Sequence, residues 1–206
     1  MNQSPITRHQ SLITNLVVLI SGHGSNLQAI LDACASGELN AQVVAVISNK
    51  SGAFGLERAR RSNIPALVKP KITDQDRRVY DAELADLAAS FQPDWIVLAG
   101  WMRVLSAAFL DRFPRRVINL HPALPGAFPG THAIERAYEA YQRGEIDRTG
   151  VMVHLVPDEG VDSGPVLRQA EVLIQPTDTL ESLEARIHQV EQALLVDGLK
   201  NLCSIS

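Results

Sequence analysis

Residues 15–26 read N-L-V-V-L-I-S-G-H-G-S-N: an apolar run, a pair of glycines, then a serine and an asparagine that open a second apolar pattern. The run 16–21 is short and continuous, as a strand buried on both faces would be. From Ser25 the apolar residues fall at Leu27, Ile30, Leu31, Ala33 and Cys34, which is helical spacing, and Gly37 follows as a stop. A strand, a glycine turn and a helix, in that order, are the opening unit of an α/β fold.

The same alternation continues down the chain. Strands are expected at 42–48, 66–68, 95–99 and 116–120, and helices at 54–62, 74–91 and 107–113, with Pro70 and Pro93 as breakers. Short connectors between them predict a Rossmann-like, doubly wound, mainly parallel sheet. After residue 120 the pattern changes. Residues 121–130 form a Pro- and Gly-rich loop, and 132–142 a helix. Two strands at 149–156 and 165–174 flank the turn-rich connector P-D-E-G-V-D-S-G, a spacing that suits an antiparallel pair. An amphipathic helix at 179–202 closes the chain. One domain is therefore expected over 15–202, with a phosphate-binding half at 15–120 and a second half at 121–202. Residues 1–14 read as a loose N-terminal extension.

Composition narrows the function. The chain has 206 residues, 46% of them hydrophobic and 20% charged, which excludes a disordered or disulfide-stapled protein. Nineteen basic residues against 23 acidic ones give a net charge of −4, which removes support for a general nucleic-acid or membrane-surface role. Cys34 and Cys203 are the only cysteines and form no C-x-x-C pair, so a reducing cytoplasm is the expected compartment. The apolar residues 16–20, five in all, are too few for a signal peptide or a membrane span.

Three stretches carry candidate chemistry. The turn holding Gly24, Ser25 and Asn26 joins a strand to a helix N-terminus, where free N–H groups and the helix dipole attract an anion. The alternative is an ordinary turn in which Ser25 or Asn26 caps the helix. It is no dinucleotide fingerprint. Leu27 stands at the third glycine position of G-x-G-x-x-G, and Ser48-Asn49 ends the second strand where an acidic residue is required. Asn119 and His121 share a face at a strand's carboxyl end, an amide donor beside an imidazole that could hold an oxyanion and handle a proton. A hydrogen-bonded structural histidine is the commoner outcome for such a residue alone. Asp162, in D-E-G-V-D-S-G, could raise the imidazole pKa or sit as a solvated turn residue. Asp158 and Glu159 read as solvent-facing. His121, His132 and His154, spaced by 11 and 22 residues, fit no compact metal motif, so no metal is expected. His154 reads as a core histidine.

In order, V-V-L-I-S-G-H-G-S-N-L-Q-A-I, S-N-K-S-G-A-F-G-L-E-R-A, P-D-W-I-V-L-A-G-W-M-R-V-L, N-L-H-P-A-L and D-E-G-V-D-S-G-P-V resemble the phosphoribosylglycinamide formyltransferases over about residues 15–199. The resemblance implies transfer of the formyl group of 10-formyltetrahydrofolate to the amine of glycinamide ribonucleotide, by direct attack through a tetrahedral intermediate. It assigns Asn119, His121 and Asp162 to catalysis, with Asn119 and a protonated His121 on the oxyanion and Asp162 raising the histidine's pKa. Gly24, Ser25, Asn26 and Glu191 match the ribonucleotide site. Arg77, Met102, Arg103, Val104, Leu105, Asn119, Asp158 and Asp162 match the formyl-folate site, with loop 157–162 as the folate loop and residues 121–202 as the folate-binding and catalytic half. The implied partners are these two small molecules, with no nucleic acid or membrane, in a monomer or homodimer.

The chain departs from the family in H-P-A-L-P-G-A-F-P-G, whose proline falls one place early, in one additional residue in loop 157–162, in Trp101 and in Gln192. These bear on loop geometry and substrate affinity. Methionyl-tRNA formyltransferases add a C-terminal domain, and formyltetrahydrofolate hydrolases an N-terminal one, neither of which is expected in 206 residues. A sugar-nucleotide formyltransferase and a non-catalytic folate- or nucleotide-binding module stand as alternatives.

Overall fold

A computed structural model describes residues 13–203. In chain order the elements are β1 (Thr14–Ile20), α1 (Ser25–Ala35), β2 (Ala41–Ser48), α2 (Phe54–Arg61), β3 (Ala66–Val68), α3 (Arg77–Ala89), β4 (Trp95–Leu98), α4 (Ala107–Leu110), β5 (Val117–His121), α5 (Ala133–Gln142), β6 (Arg148–Leu155), β7 (Val166–Leu173) and α6 (Leu180–Cys203). The seven strands form one sheet in the order β3-β2-β1-β4-β5-β6-β7. Pairs from β3 through β5 are parallel, while β6 runs against both β5 and β7. The mainly parallel sheet with an antiparallel C-terminal pair is thus present, and a single reversed strand produces it.

β1 explains why its sequence is apolar throughout. Leu16, Val18 and Ile20 pack on one face with Leu27 and Ile30 of α1 and Ile187 and Leu195 of α6. Val17 and Leu19 pack on the other with Tyr80 and Leu84 of α3 and Phe109 of α4. All five β1 residues are fully buried, so period-2 alternation is absent.

Boundaries differ from expectation where capping decides them. β1 begins at Thr14, which is buried, so that residue belongs to the sheet and not to the expected extension; residues 1–12 lie outside the described residues. α3 begins at Arg77, because the Asp76 carboxylate accepts from the amides of Arg78 and Val79. α4 ends at Leu110, and the chain to Phe113 tightens into turns with amide bonds from Arg112 to Phe109 O and from Phe113 to Leu110 O. Pro114 follows and disfavours helix before it. Among the described residues no helix is long and apolar enough to cross a membrane.

Successive strands go one way from β1 to β2 and the other way from β1 to β4. The carboxyl ends of β1 and β4 are therefore a topological switch point, where open α/β sheets hold ligands. The β1–α1 turn is fixed there by two glycines in contact. Gly24 is left-handed, with φ 76°, and a Cβ on it would lie 2.6 Å from the Cα of Gly55 at the start of α2. The Gly55 amide donates to Gly22 O at 3.1 Å. Gly24→Ala combines left-handed strain with overpacking, so urea unfolding should report a loss of about 2–4 kcal/mol. A loss under about 0.5 kcal/mol would contradict this packing.

Candidate active site

One cavity of about 750 Å³ opens at this switch point. Its lining includes Gly24, Ser25 and Asn26 from the β1–α1 turn, Met102, Arg103, Val104 and Leu105 after β4, and Asn119 and His121 from β5. Asp158 and Asp162 from loop 157–162, and Glu191 from α6, line it as well.

Asp162 is at its centre. Its backbone is left-handed, with φ 51°, a strained conformation for a residue with a side chain. Oδ2 accepts from the Gly130 amide at 2.8 Å and lies 3.3 Å from His121 Nδ1. Oδ1 accepts from Asn119 Nδ2 at 3.0 Å and lies 3.5 Å from His154 Nε2. Burial pushes this carboxyl up. The contacts from His154, the Gly130 amide and His121 outweigh burial and hold it below the ordinary carboxylate range. Asp162 is therefore ionised at neutral pH.

His121 is 4% exposed. Burial is the largest influence on it and pushes its pKa below the ordinary value, with smaller pushes the same way from His154 and Arg136. Asp162 and the hydrogen bond to Phe128 O push upward without overcoming this. The carboxylate does raise the imidazole, as the sequence implies, but the net result is a neutral histidine. Its Nε2 faces Phe128 O at 3.1 Å, and Arg136 holds that loop by donating to Phe128 O and Pro129 O, each at 2.7 Å. Protonation places a hydrogen on both ring nitrogens, each already opposite an acceptor.

Asn119 is positioned by strand pairing. In the β5–β6 register it stands opposite His154, and its Nδ2 lies 3.2 Å from His154 Nε2. His154 Nδ1 faces Leu155 O at 2.8 Å. A carbonyl only accepts, so Nδ1 carries the proton and Nε2 accepts from Asn119. Both hydrogens of the Asn119 amide are thus engaged, by His154 and by Asp162. The sequence implies a free oxyanion donor here; the geometry requires Asn119 to exchange one partner first. His154 is buried and hydrogen-bonded, as expected for a core histidine, yet it also belongs to the site.

At one end of the cavity, the first amide bond of α1 runs from Gln28 to Gly24 O, so the amides of residues 25–27 have no helical acceptor. Glu191, 5% exposed, is reached by His188 Nδ1 at 2.6 Å, and this bond raises the His188 pKa. His188 was not singled out, although the spacing H-x-x-E on a helix puts both on one face. At the other end, the Met102 amide donates to Ser21 Oγ at 2.9 Å. Met102, Val104 and Val161 present exposed apolar surface there. The Arg103 guanidinium lies 5.1 Å over the Tyr80 ring, and Leu105 is buried.

One residue lies elsewhere than expected. Arg77, at the start of α3, is absent from the cavity lining and is ion-paired with Glu159. Glu159 is exposed, as expected, but is also tied down, because its Oε1 accepts from the Ala107 amide at 2.9 Å. Asp158 accepts locally from the Gly160 amide at 2.8 Å. Exposed His132 pairs with Glu135. Among the described residues no cluster of three or more His, Cys, Asp or Glu side chains is arranged to hold a metal ion. The cavity suits a flat ring with a polar edge: it has apolar walls, and Asn26 Oδ1, Trp101 Nε1 and Arg103 Nε are buried along its lining without hydrogen-bond partners.

The family described as formyl transferase matches residues 14–199. The phosphoribosylglycinamide formyltransferase of Dictyostelium discoideum is 48% identical over 201 residues, covering 91% of this chain and 97% of that protein. The enzyme of the same name from Escherichia coli strain K12 is 43% identical, covering 87% and 82%. Among solved structures, glycinamide ribonucleotide transformylase 1 from Symbiobacterium toebii superposes with a TM-score of 0.87 at 38% identity, covering 93% of this chain and 88% of that one.

NMR titration of the histidine ring protons should place His121 below the ordinary value of about 6.5. In Asp162→Asn it should fall further, because the carboxylate is an upward influence; no change on substitution would contradict this. The linkage follows. Folded His121 binds a proton less readily than the unfolded chain does, so its contribution to stability is full above about pH 6.5 and declines as pH falls through that value.

Proposed function

The chain belongs to the formyl transferase family, and from that premise we propose that it transfers the formyl group of 10-formyltetrahydrofolate to the amine of glycinamide ribonucleotide. The observation that carries the reading is the position of Asp162, Asn119 and His121 between two unlike ends of one cavity. One end offers unpaired amides at a helix N-terminus, suited to a phosphate, with the Glu191 carboxylate suited to ribose hydroxyls. The other offers the apolar segment 102–105 and Val161, suited to a heteroaromatic ring. The reading includes a cytoplasmic setting, with which two unpaired thiols agree.

The roles follow from the geometry. When bound, the folate supplies the formyl carbon that the amine attacks. Holding both partners in one cavity supplies much of the acceleration. Neutral His121 accepts the amine's proton. Asp162 and Phe128 O then face the two N–H groups of the imidazolium and stabilise it. Asn119 turns one amide hydrogen from its present acceptor to the oxygen on which negative charge develops. His121 releases the proton toward the leaving nitrogen, with Asp162 keeping the ring in place throughout.

A spectrophotometric assay with 10-formyl-5,8-dideazafolate and glycinamide ribonucleotide tests the reading. Turnover should require the ribonucleotide. It should fall by about 10²–10⁴ in His121→Ala and in Asp162→Asn. Deformylation without the amine would make the protein a hydrolase. Tight folate binding with no turnover would make it a binding module.

A further inference from the structure

Glu159 is three residues from Asp162, a span of chain of at most about 11 Å. Its carboxylate reaches two separate elements: one oxygen accepts from the Ala107 amide at 2.9 Å, at the start of α4, and the other pairs with Arg77 at the start of α3. Both elements pack on the sheet face away from α1 and α6. Apart from the contacts of Asp162 with His121 and His154, this is the one ion pair of loop 157–162 among the described residues. Contacts to Ala107 and Arg77 lower the Glu159 pKa, with the Ala107 amide the largest influence, so the carboxylate is charged when it makes them. At its base the loop is fixed by the Leu155 amide donating to Pro165 O at 2.9 Å. Between these two anchors Asp162 holds a left-handed backbone, a conformation that persists only where the surroundings impose it.

We propose that Glu159, clasped by Arg77 and the α4 amide, is a positioning residue that holds the 157–162 loop so that the Asp162 carboxylate stays docked between Gly130, Asn119 and His121. An exposed ion pair adds little to global stability. The clasp therefore acts on the local docking equilibrium of the loop, and breaking it slows the chemical step without unfolding the protein.

The Gly130 amide, which donates to Asp162 Oδ2 at 2.8 Å, reports docking without any substrate. In Glu159→Ala its hydrogen exchange should quicken about three- to tenfold. kcat should drop by a similar factor, while KM for the ribonucleotide and the urea midpoint stay unchanged. Glu159→Gln should fall between the parent and Glu159→Ala in both, because its one amide oxygen replaces only one of the two acceptor oxygens and its amide nitrogen cannot accept from the other donor. Arg168→Ala, which breaks the Arg168–Asp197 pair between β7 and α6, should change neither. Gly130 exchange within twofold of the parent in Glu159→Ala would overturn the proposal, as would quickened exchange in Arg168→Ala. The kinetic arm rests on the formyl-transfer reading and the exchange arm does not. An unmodified protein that fails to transfer formyl therefore sinks that reading, while exchange alone still decides the clasp.

Discussion

A buried carboxylate has to be surrounded by donors or it will not stay charged, and the architecture of this protein answers that demand at Asp162. The donors come from two separate parts of the chain. Asn119 arrives at the carboxyl end of β5 and the Gly130 amide in the loop that follows. Neither is close to Asp162 along the chain. Removing the carboxylate would leave the Gly130 amide and one Asn119 hydrogen without acceptors, which costs more than the bonds themselves contribute.

The reversed strand makes this meeting possible. If β6 ran parallel to β5, its residues would meet β5 in the opposite order, and His154 and Met152 would not stand opposite Asn119 and His121. Running antiparallel, it pairs Asn119 with His154 and His121 with Met152, then delivers loop 157–162 back over the end of β5. Ser21 joins the two ends of the cavity. It accepts from the Met102 amide and donates to Asn49 Oδ1 at 2.7 Å, so the turn at the phosphate end and the apolar segment share one buried hydroxyl.

The alternating elements of the first half were legible because strands buried on both faces leave continuous apolar runs, and 16–21, 42–48 and 95–99 are such runs. The site was legible only as separate candidates, since Asn119 and Asp162 are 43 residues apart and meet through pairing that periodicity does not encode. Resemblance to a family supplied the link. Two features could not be read at all. The sequence places an acid beside His121 and so implies a raised pKa, but the extent of burial decides the direction, and burial is a property of the packed whole. Arg77 and Glu159 are 82 residues apart, and nothing local distinguishes their pairing from two solvated charges.

The account stands on His121 and Asp162 working as one unit, with the carboxylate useful only through the imidazole it steadies. A double-mutant cycle on the single-turnover transfer rate measures that dependence directly, using His121→Ala, Asp162→Asn and the pair together. The account predicts strong non-additivity, with the double variant within about tenfold of the slower single one. Losses that multiply, each substitution costing the same whether or not the other is present, would contradict it.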